Sequence, residues 1–303
     1  MNEIRNTKFY PPKQDEPRFG FTLVELVVAI GIMALVILFA GTVFKSSINS
    51  YRIASAQAEI MQKLRAITQQ LDSDFQGLQK DGYLILYSEN LLNRTEYPGA
   101  PSGSFRSDRL YFFSTGDFQS WYDPTVRSNI ARIYLGHERH SIFDSTLCVN
   151  HWRLAHDILL LSTVASWPDV NDVNYAWCQV HPTEITNNAN AMFSNLPDTP
   201  DINIADDPNT IRRLFCENAG QSKIEWADGS IDPNSAIAWF GLGNQKGIII
   251  ESGVAGSNYK AEWQPSISAD LWPKALKFTF TLYDSRGVFK DGQTFTHIVY
   301  LGD

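Results

Sequence analysis

Four stretches of this sequence hold residue types capable of metal, hydrolytic or phosphate chemistry, and each fails on spacing or motif. His137-Glu138-Arg139-His140, with His151 and His156 downstream, is the densest histidine cluster. A zinc-binding H-E-x-x-H pair needs four-residue spacing to bring both rings to one helix face. Here the spacing is three, so solvated loop histidines are the expectation. Asp201-Ile202-Asn203-Ile204-Ala205-Asp206-Asp207 offers hard oxygen ligands, but an EF-hand loop wants a ligand at position five, glycine at six and glutamate at twelve. Ala205, Asp206 and Arg212 occupy those places, so a polar turn is expected instead. Ser252-Gly253 and Ser257 lack a G-x-S-x-G elbow, and Gly241-Leu242-Gly243-Asn244-Gln245-Lys246-Gly247 lacks the Gly-Lys-Ser/Thr ending of a phosphate loop. No catalytic residue, metal ligand or cofactor is predicted, and the chain is read as not an enzyme.

The residue that demands an explanation is Glu25. It stands at the mouth of a run from Leu26 to Phe44 that contains no charged side chain. At 1.5 Å per residue those 19 positions make a helix of roughly 28 Å, close to the roughly 30 Å core of a bilayer. A secretory signal peptide has an apolar region of only about 7–15 residues ending at an A-x-A-like site. Leu38-Phe39-Ala40 supplies no such site. An acidic side chain costs about 2.5–3.5 kcal/mol at the centre of a membrane helix and less near its end. A plain anchor has no reason to carry one, so Glu25 is read as functional.

Arg18, then Gly20-Phe21-Thr22-Leu23-Val24-Glu25-Leu26, resembles the processing and assembly signal of the type IV pilin superfamily. The resemblance implies cleavage between Gly20 and Phe21 by a prepilin peptidase, N-methylation of the new Phe21 amine, and assembly with other pilins through the apolar helix. In that family the carboxylate at the position of Glu25 meets the free amine of a neighbouring subunit. It further implies a basic leader left in the cytoplasm, one pass through the inner membrane and a periplasmic carboxy-terminal head.

Composition agrees with an exported, anchored protein. The 303 residues suit one elaborated domain or two small ones. Removing residues 1–20 takes away four basic and three acidic side chains, leaving 21 against 30. No basic stripe stands out, so nucleic acid is not an expected partner. Cys148, Cys178 and Cys216 allow at most one internal bridge, and none forms a C-x-x-C pair.

Beyond Phe44 the helix is expected to continue. Ile60, Leu64, Ile67, Leu71, Phe75 and Leu78 recur at spacings of three and four, and no proline interrupts residues 21–80. Strands are predicted at 109–114, 130–135 and 156–162, in shorter form at 224–226, 237–242 and 247–250, and most clearly at 276–283 and 295–301. Leu276, Phe278, Phe280 and Leu282 alternate there with wetter residues. Residues 165–235 are dense in Asn, Asp and Pro and read as loops and short elements. The predicted architecture is α+β: a leader over 1–20, a transmembrane helix over 21–44 and an amphipathic spine over 45–80. The spine packs on an antiparallel sheet head over 81–303, with a loop-rich insertion around 137–235.

The order of parts narrows the resemblance. Leu71-Asp72-Ser73-Asp74-Phe75, Arg109-Leu110-Tyr111-Phe112-Phe113 and Trp272-Pro273-Lys274-Ala275-Leu276-Lys277-Phe278-Thr279-Phe280 resemble the J-type minor pseudopilins of type II secretion and the W-type minor pilins. That implies a low-copy, structural subunit near a filament tip that helps to start assembly. The alternative is an adhesive or cargo-binding tip domain. All eight tryptophans fall between Trp121 and Trp272, and an exposed aromatic patch would favour that second function.

Overall fold

The computed structural model describes residues 20–78, 80, 82–94, 103–119, 127–138, 152–160, 208–233, 236–244, 246, 258–263 and 272–302. One helix, α1 (Leu23–Gln76), precedes strands β1 (Leu84–Arg94), β2 (Gly103–Gln119), β3 (Arg127–His137), β4 (Arg153–Leu160), β5 (Leu214–Glu217), β6 (Ala219–Ala227), β7 (Asn258–Trp263), β8 (Ala275–Leu282) and β9 (Gln293–Tyr300). A short 3₁₀ helix, Pro208–Arg213, leads into β5. The chain divides into two compact units, one ending at Arg52 and the other running from Ile53 onward. The architecture is α+β, as the sequence patterns predict.

In the second unit α1 turns one apolar face to the sheet. Ala56, Ile60, Ile67, Leu71 and Phe75 are buried at helical spacing. Phe75 stacks on Phe112 at 4.5 Å and tilts against Phe278 at 5.8 Å. Polar ties fix the helix along its length. Glu59 accepts from the Ser285 N–H and hydroxyl at 3.0 and 2.9 Å, and Lys63 donates to the Tyr283 carbonyl at 3.0 Å. His297 of β9 meets Asp72 at 2.8 Å and His156 of β4 meets Asp74 at 2.7 Å.

The helix stops at Gln76, short of the expected 80, because β2 takes over its end. The Ser114 hydroxyl donates to the Asp74 carbonyl at 2.9 Å and the Thr115 N–H to the Gly77 carbonyl at 2.8 Å. Those are carbonyls that a finishing helix leaves without partners of its own. Approach is so close that a Cβ on Gly77 would collide with the Thr115 carbonyl and the Ser114 hydroxyl.

The sheet is mostly antiparallel, and it forks. One edge of β2 carries β1, which in turn carries β7. The other edge is shared: β3 pairs with Leu110–Gln119, while β6 joins in parallel at Ser107↔Ser222. One wing then runs β3-β4-β5 and the other β6-β8-β9. The outer strand of the first wing, β5, passes into β6 through Asn218 alone, whose left-handed φ of 57° is one that asparagine tolerates. Apart from this one parallel join, the sheet is the antiparallel one expected.

Where strands part, backbone groups lose ladder partners and side chains must replace them. Asp108, fully buried, accepts from the Ile224 N–H at 2.6 Å and from Arg106 at 2.8–3.0 Å. Burial pushes its carboxyl upward despite that guanidinium. His137 fills the crotch of the fork. Its Nε2 lies 2.8 Å from the Gly220 carbonyl, which can only accept, so Nε2 carries the proton and Nδ1 accepts from the Ser107 hydroxyl at 3.0 Å. Trp152 stacks on Phe105 at 4.2 Å and meets the His137 ring edge-on.

Several expectations change here. His137 and Glu138 are fully buried and His156 is tied to Asp74, so none is a solvated loop residue. Arg139, His140, His151, Cys148, Cys178, Asp201–Asp207, Ser252–Ser257 and residues 247–250 lie outside the described residues. The expected strand over 237–242 is instead a set of isolated bridges, Ile231↔Ile237, Trp226↔Phe240 and Gly241↔Asn244. The β1, β5 and β7 strands were not predicted.

His137 makes the head sensitive to acid. Burial holds its pKa at about 4 against an ordinary 6.5. Between those values the unfolded chain binds a proton that the folded chain refuses, so His137's share of the stability is complete above about pH 6.5 and declines toward pH 4. At 1.36 kcal/mol per pKa unit the loss by pH 4.5 is about 2–3 kcal/mol. Urea unfolding of residues 49–303 at pH 7.5 and 4.5 should show this decline in wild type and a smaller one in His137→Gln.

Candidate functional site

The N-terminal part of α1 has no buried residue before Ala56. Its apolar side chains from Leu23 to Phe44 are exposed over most of their surface, on every side of the helix. In water that arrangement is unfavourable at about 25 cal/mol per Å² of apolar area. Length and composition suffice for one membrane crossing.

Thr22 and Glu25 build the start of this helix. The Glu25 N–H donates to the Thr22 hydroxyl oxygen at 3.2 Å. Glu25 reaches back, and its Oε2 accepts from the Thr22 N–H and from the Thr22 hydroxyl, both at 2.9 Å. This is a capping box, with Thr22 at the N-cap and Glu25 at the third helical position. The first backbone bond of the helix is Leu26 N–H to the Thr22 carbonyl at 3.2 Å. Gly20 and Phe21 stay outside the helix, with the Phe21 side chain 87% exposed. A carboxylate here also complements the positive end of the helix dipole.

Gly20, Phe21 and Glu25, the residues singled out from the sequence, therefore fall within one turn of the helix start. Thr22 is the member that sequence reasoning missed. The signal was present as Thr22-x-x-Glu25 before an apolar run.

A family model described as the prokaryotic N-terminal methylation motif matches residues 17–41. The segment is a type IV pilin-like prepilin signal. Such a signal implies processing by a prepilin peptidase and assembly with other pilins, and the single apolar helix behind it fits a pilin-type membrane anchor. No curated protein and no solved structure matches the chain.

Other chemistry-bearing residues are built into the head. Ser107 and His137 form a hydrogen-bonded pair, but both are fully buried and the ring's other nitrogen is held by a backbone carbonyl. Burial pushes the Cys216 thiol up to about 12, so it stays protonated and unreactive. Among the described residues no group of three His, Cys, Asp or Glu is placed to hold a metal ion. Of the described tryptophans, Trp152, Trp226, Trp263 and Trp272 are buried. Trp239 is half-buried under the Lys277 ammonium, 4.5 Å from its ring centre. They form no exposed platform.

The capping box predicts a difference between two substitutions. Glutamine retains the acceptor that reaches the Thr22 N–H, whereas alanine removes it. Amide exchange of the full chain in detergent micelles should be near wild type at residue 22 in Glu25→Gln. In Glu25→Ala it should be faster by about five-fold, the effect of roughly 1 kcal/mol of cap.

Proposed function

We propose that this protein is a minor pilin or pseudopilin, a non-catalytic, low-copy subunit of a type II secretion pseudopilus or type IV pilus-like filament. It is cut between Gly20 and Phe21, methylated on the Phe21 amine and held in the inner membrane by α1 until assembly, with its head in the periplasm. Near the filament tip it helps to start assembly with other minor subunits. The observation that carries this reading is the coincidence of the methylation motif with the unburied half of α1. A helix apolar on all sides needs lipid or other helices around it. The order of parts in the head supports the minor-subunit assignment through its resemblance to the J-type pseudopilins and W-type minor pilins.

Glu25 has a second task in this reading. Both hydrogen bonds that its carboxylate accepts from Thr22 fall on Oε2. In a bundle, pairing with the methylated amine of a neighbouring Phe21 offsets the desolvation of the charge.

Two experiments test the proposal. Mass spectrometry of the mature chain should find it beginning at N-methylated Phe21, and Gly20→Val should leave a full-length precursor in the inner membrane. A mature terminus near Ala40 or beyond would make the segment a secretory signal instead. Glu25→Gln should then separate charge from cap. If the carboxylate recruits a neighbour, Glu25→Gln and Glu25→Ala lose co-purification with partner pilins alike, although only alanine loses the cap. Wild-type co-purification by Glu25→Gln would leave Glu25 with a local structural role alone.

A further inference from the structure

We propose that Thr22 is a positioning residue for prepilin processing, because its capping box with Glu25 keeps the scissile carbonyl of Gly20 out of the helical hydrogen-bond ladder. The inference rests on the reading above that the bond cut is Gly20–Phe21.

In an α-helix each N–H reaches the carbonyl four residues back. If α1 continued one turn upstream, Glu25 N–H would bond the Phe21 carbonyl and Val24 N–H the Gly20 carbonyl. The structure replaces the first of these bonds with Glu25 N–H to the Thr22 hydroxyl, and the ladder opens at Leu26 to Thr22. Only Phe21 and Thr22 then separate the Gly20 carbonyl from the first helical residue, Leu23. The methylation motif, matched over 17–41, straddles this boundary and independently marks it as a processed segment.

The chemistry explains why the boundary matters. In hydrolysis the oxygen of water adds to the Gly20 carbonyl carbon, and the bond from that carbon to the Phe21 nitrogen breaks. The nitrogen leaves with both protons of the water as the Phe21 ammonium, and Gly20 keeps the oxygen as a carboxylate. A Gly20 carbonyl drawn into the ladder still has a second lone pair to offer, but its peptide bond must first unwind from the helical turn to lie open to the peptidase and to water. Capping also decides which way the helix yields when the box is lost. Unsatisfied N–H groups are costly in lipid, where no water can replace their partners. Fraying would bare further backbone groups, whereas an extra turn upstream moves the four orphan N–H groups outward toward water and draws in Gly20. The box removes the reason for that extra turn.

The test follows conversion of precursor to mature chain by pulse-chase, in cells containing the peptidase, for full-length wild type, Thr22→Ser and Thr22→Val. Serine keeps the capping hydroxyl; valine keeps the shape and loses it. Thr22→Ser should mature at the wild-type rate and Thr22→Val about five-fold more slowly, the population shift expected from one lost N-cap. Amide exchange of the uncleaved chains in micelles, each carrying Gly20→Val, supplies the second readout. The Val24 N–H should become more protected in Thr22→Val, as it gains the residue-20 carbonyl, whereas simple destabilisation would make it less protected. Equal maturation of Thr22→Val and wild type, or slower maturation with a less protected Val24, overturns this inference while the processing assignment stands. A wild-type chain left uncut after Gly20 overturns both.

Discussion

The structure depends on one helix meeting two different solvents. From Leu26 to Phe44 α1 carries no charge and its apolar side chains are exposed in every direction, while from Ala56 to Phe75 one face is buried and the other is polar. Burial of apolar area is met in the head by the sheet, whereas the first half has no buried residue among the described residues and fits a pilin-type membrane anchor. The head half cannot be dispensed with by the sheet it covers. Ile60, Ile67, Leu71 and Phe75 belong to the same cluster as Leu110, Phe112, Ile133 and Phe278, so the helix is part of the core.

That dependence explains the shape of the sheet. The β2 strand receives the end of α1 through Ser114 and Thr115 and also supports both wings. A strand with two successive neighbours on one edge leaves donors and acceptors at the fork. His137, Ser107 and Asp108 satisfy them at the cost of burying polar groups. The wings are held to the same turn of α1, β4 through His156–Asp74 and β9 through His297–Asp72. Residues that look like candidate chemistry in the sequence are here the joints of the head.

Much of this was legible beforehand where one periodicity dominates. The β8–β9 pair was read directly from alternation and turn residues, and Asp284 accepts from Arg286, Val288 and Phe289 within the connecting turn. The face of α1 followed from spacings of three and four. What escaped depends on distant partners. The helix end is fixed by β2, some 40 residues on, although the apolar period continues past Gly77 to Leu78. The parallel join of β6 to β2 spans more than 100 residues. His137 sits beside charged residues in sequence and looked solvated, yet its neighbours in space are Ser107, Gly220, Phe105 and Trp152. At the N-terminus Gly20, Phe21 and Glu25 are legible from the motif, whereas the role of Thr22 shows in its hydrogen bonds with Glu25.

The division of α1 between two environments is tested most directly by cysteine-scanning accessibility. Single cysteines placed from residue 26 to 76 in the membrane-borne protein would be reacted with a water-borne maleimide and scored by mass spectrometry. The account predicts uniform protection from 26 to 44. From 56 to 75 it predicts a helical period, with positions 60, 67, 71 and 75 protected and 58, 62, 65 and 69 labelled. Labelling of residues 26–44 from water, or an absence of periodicity beyond 56, would contradict it.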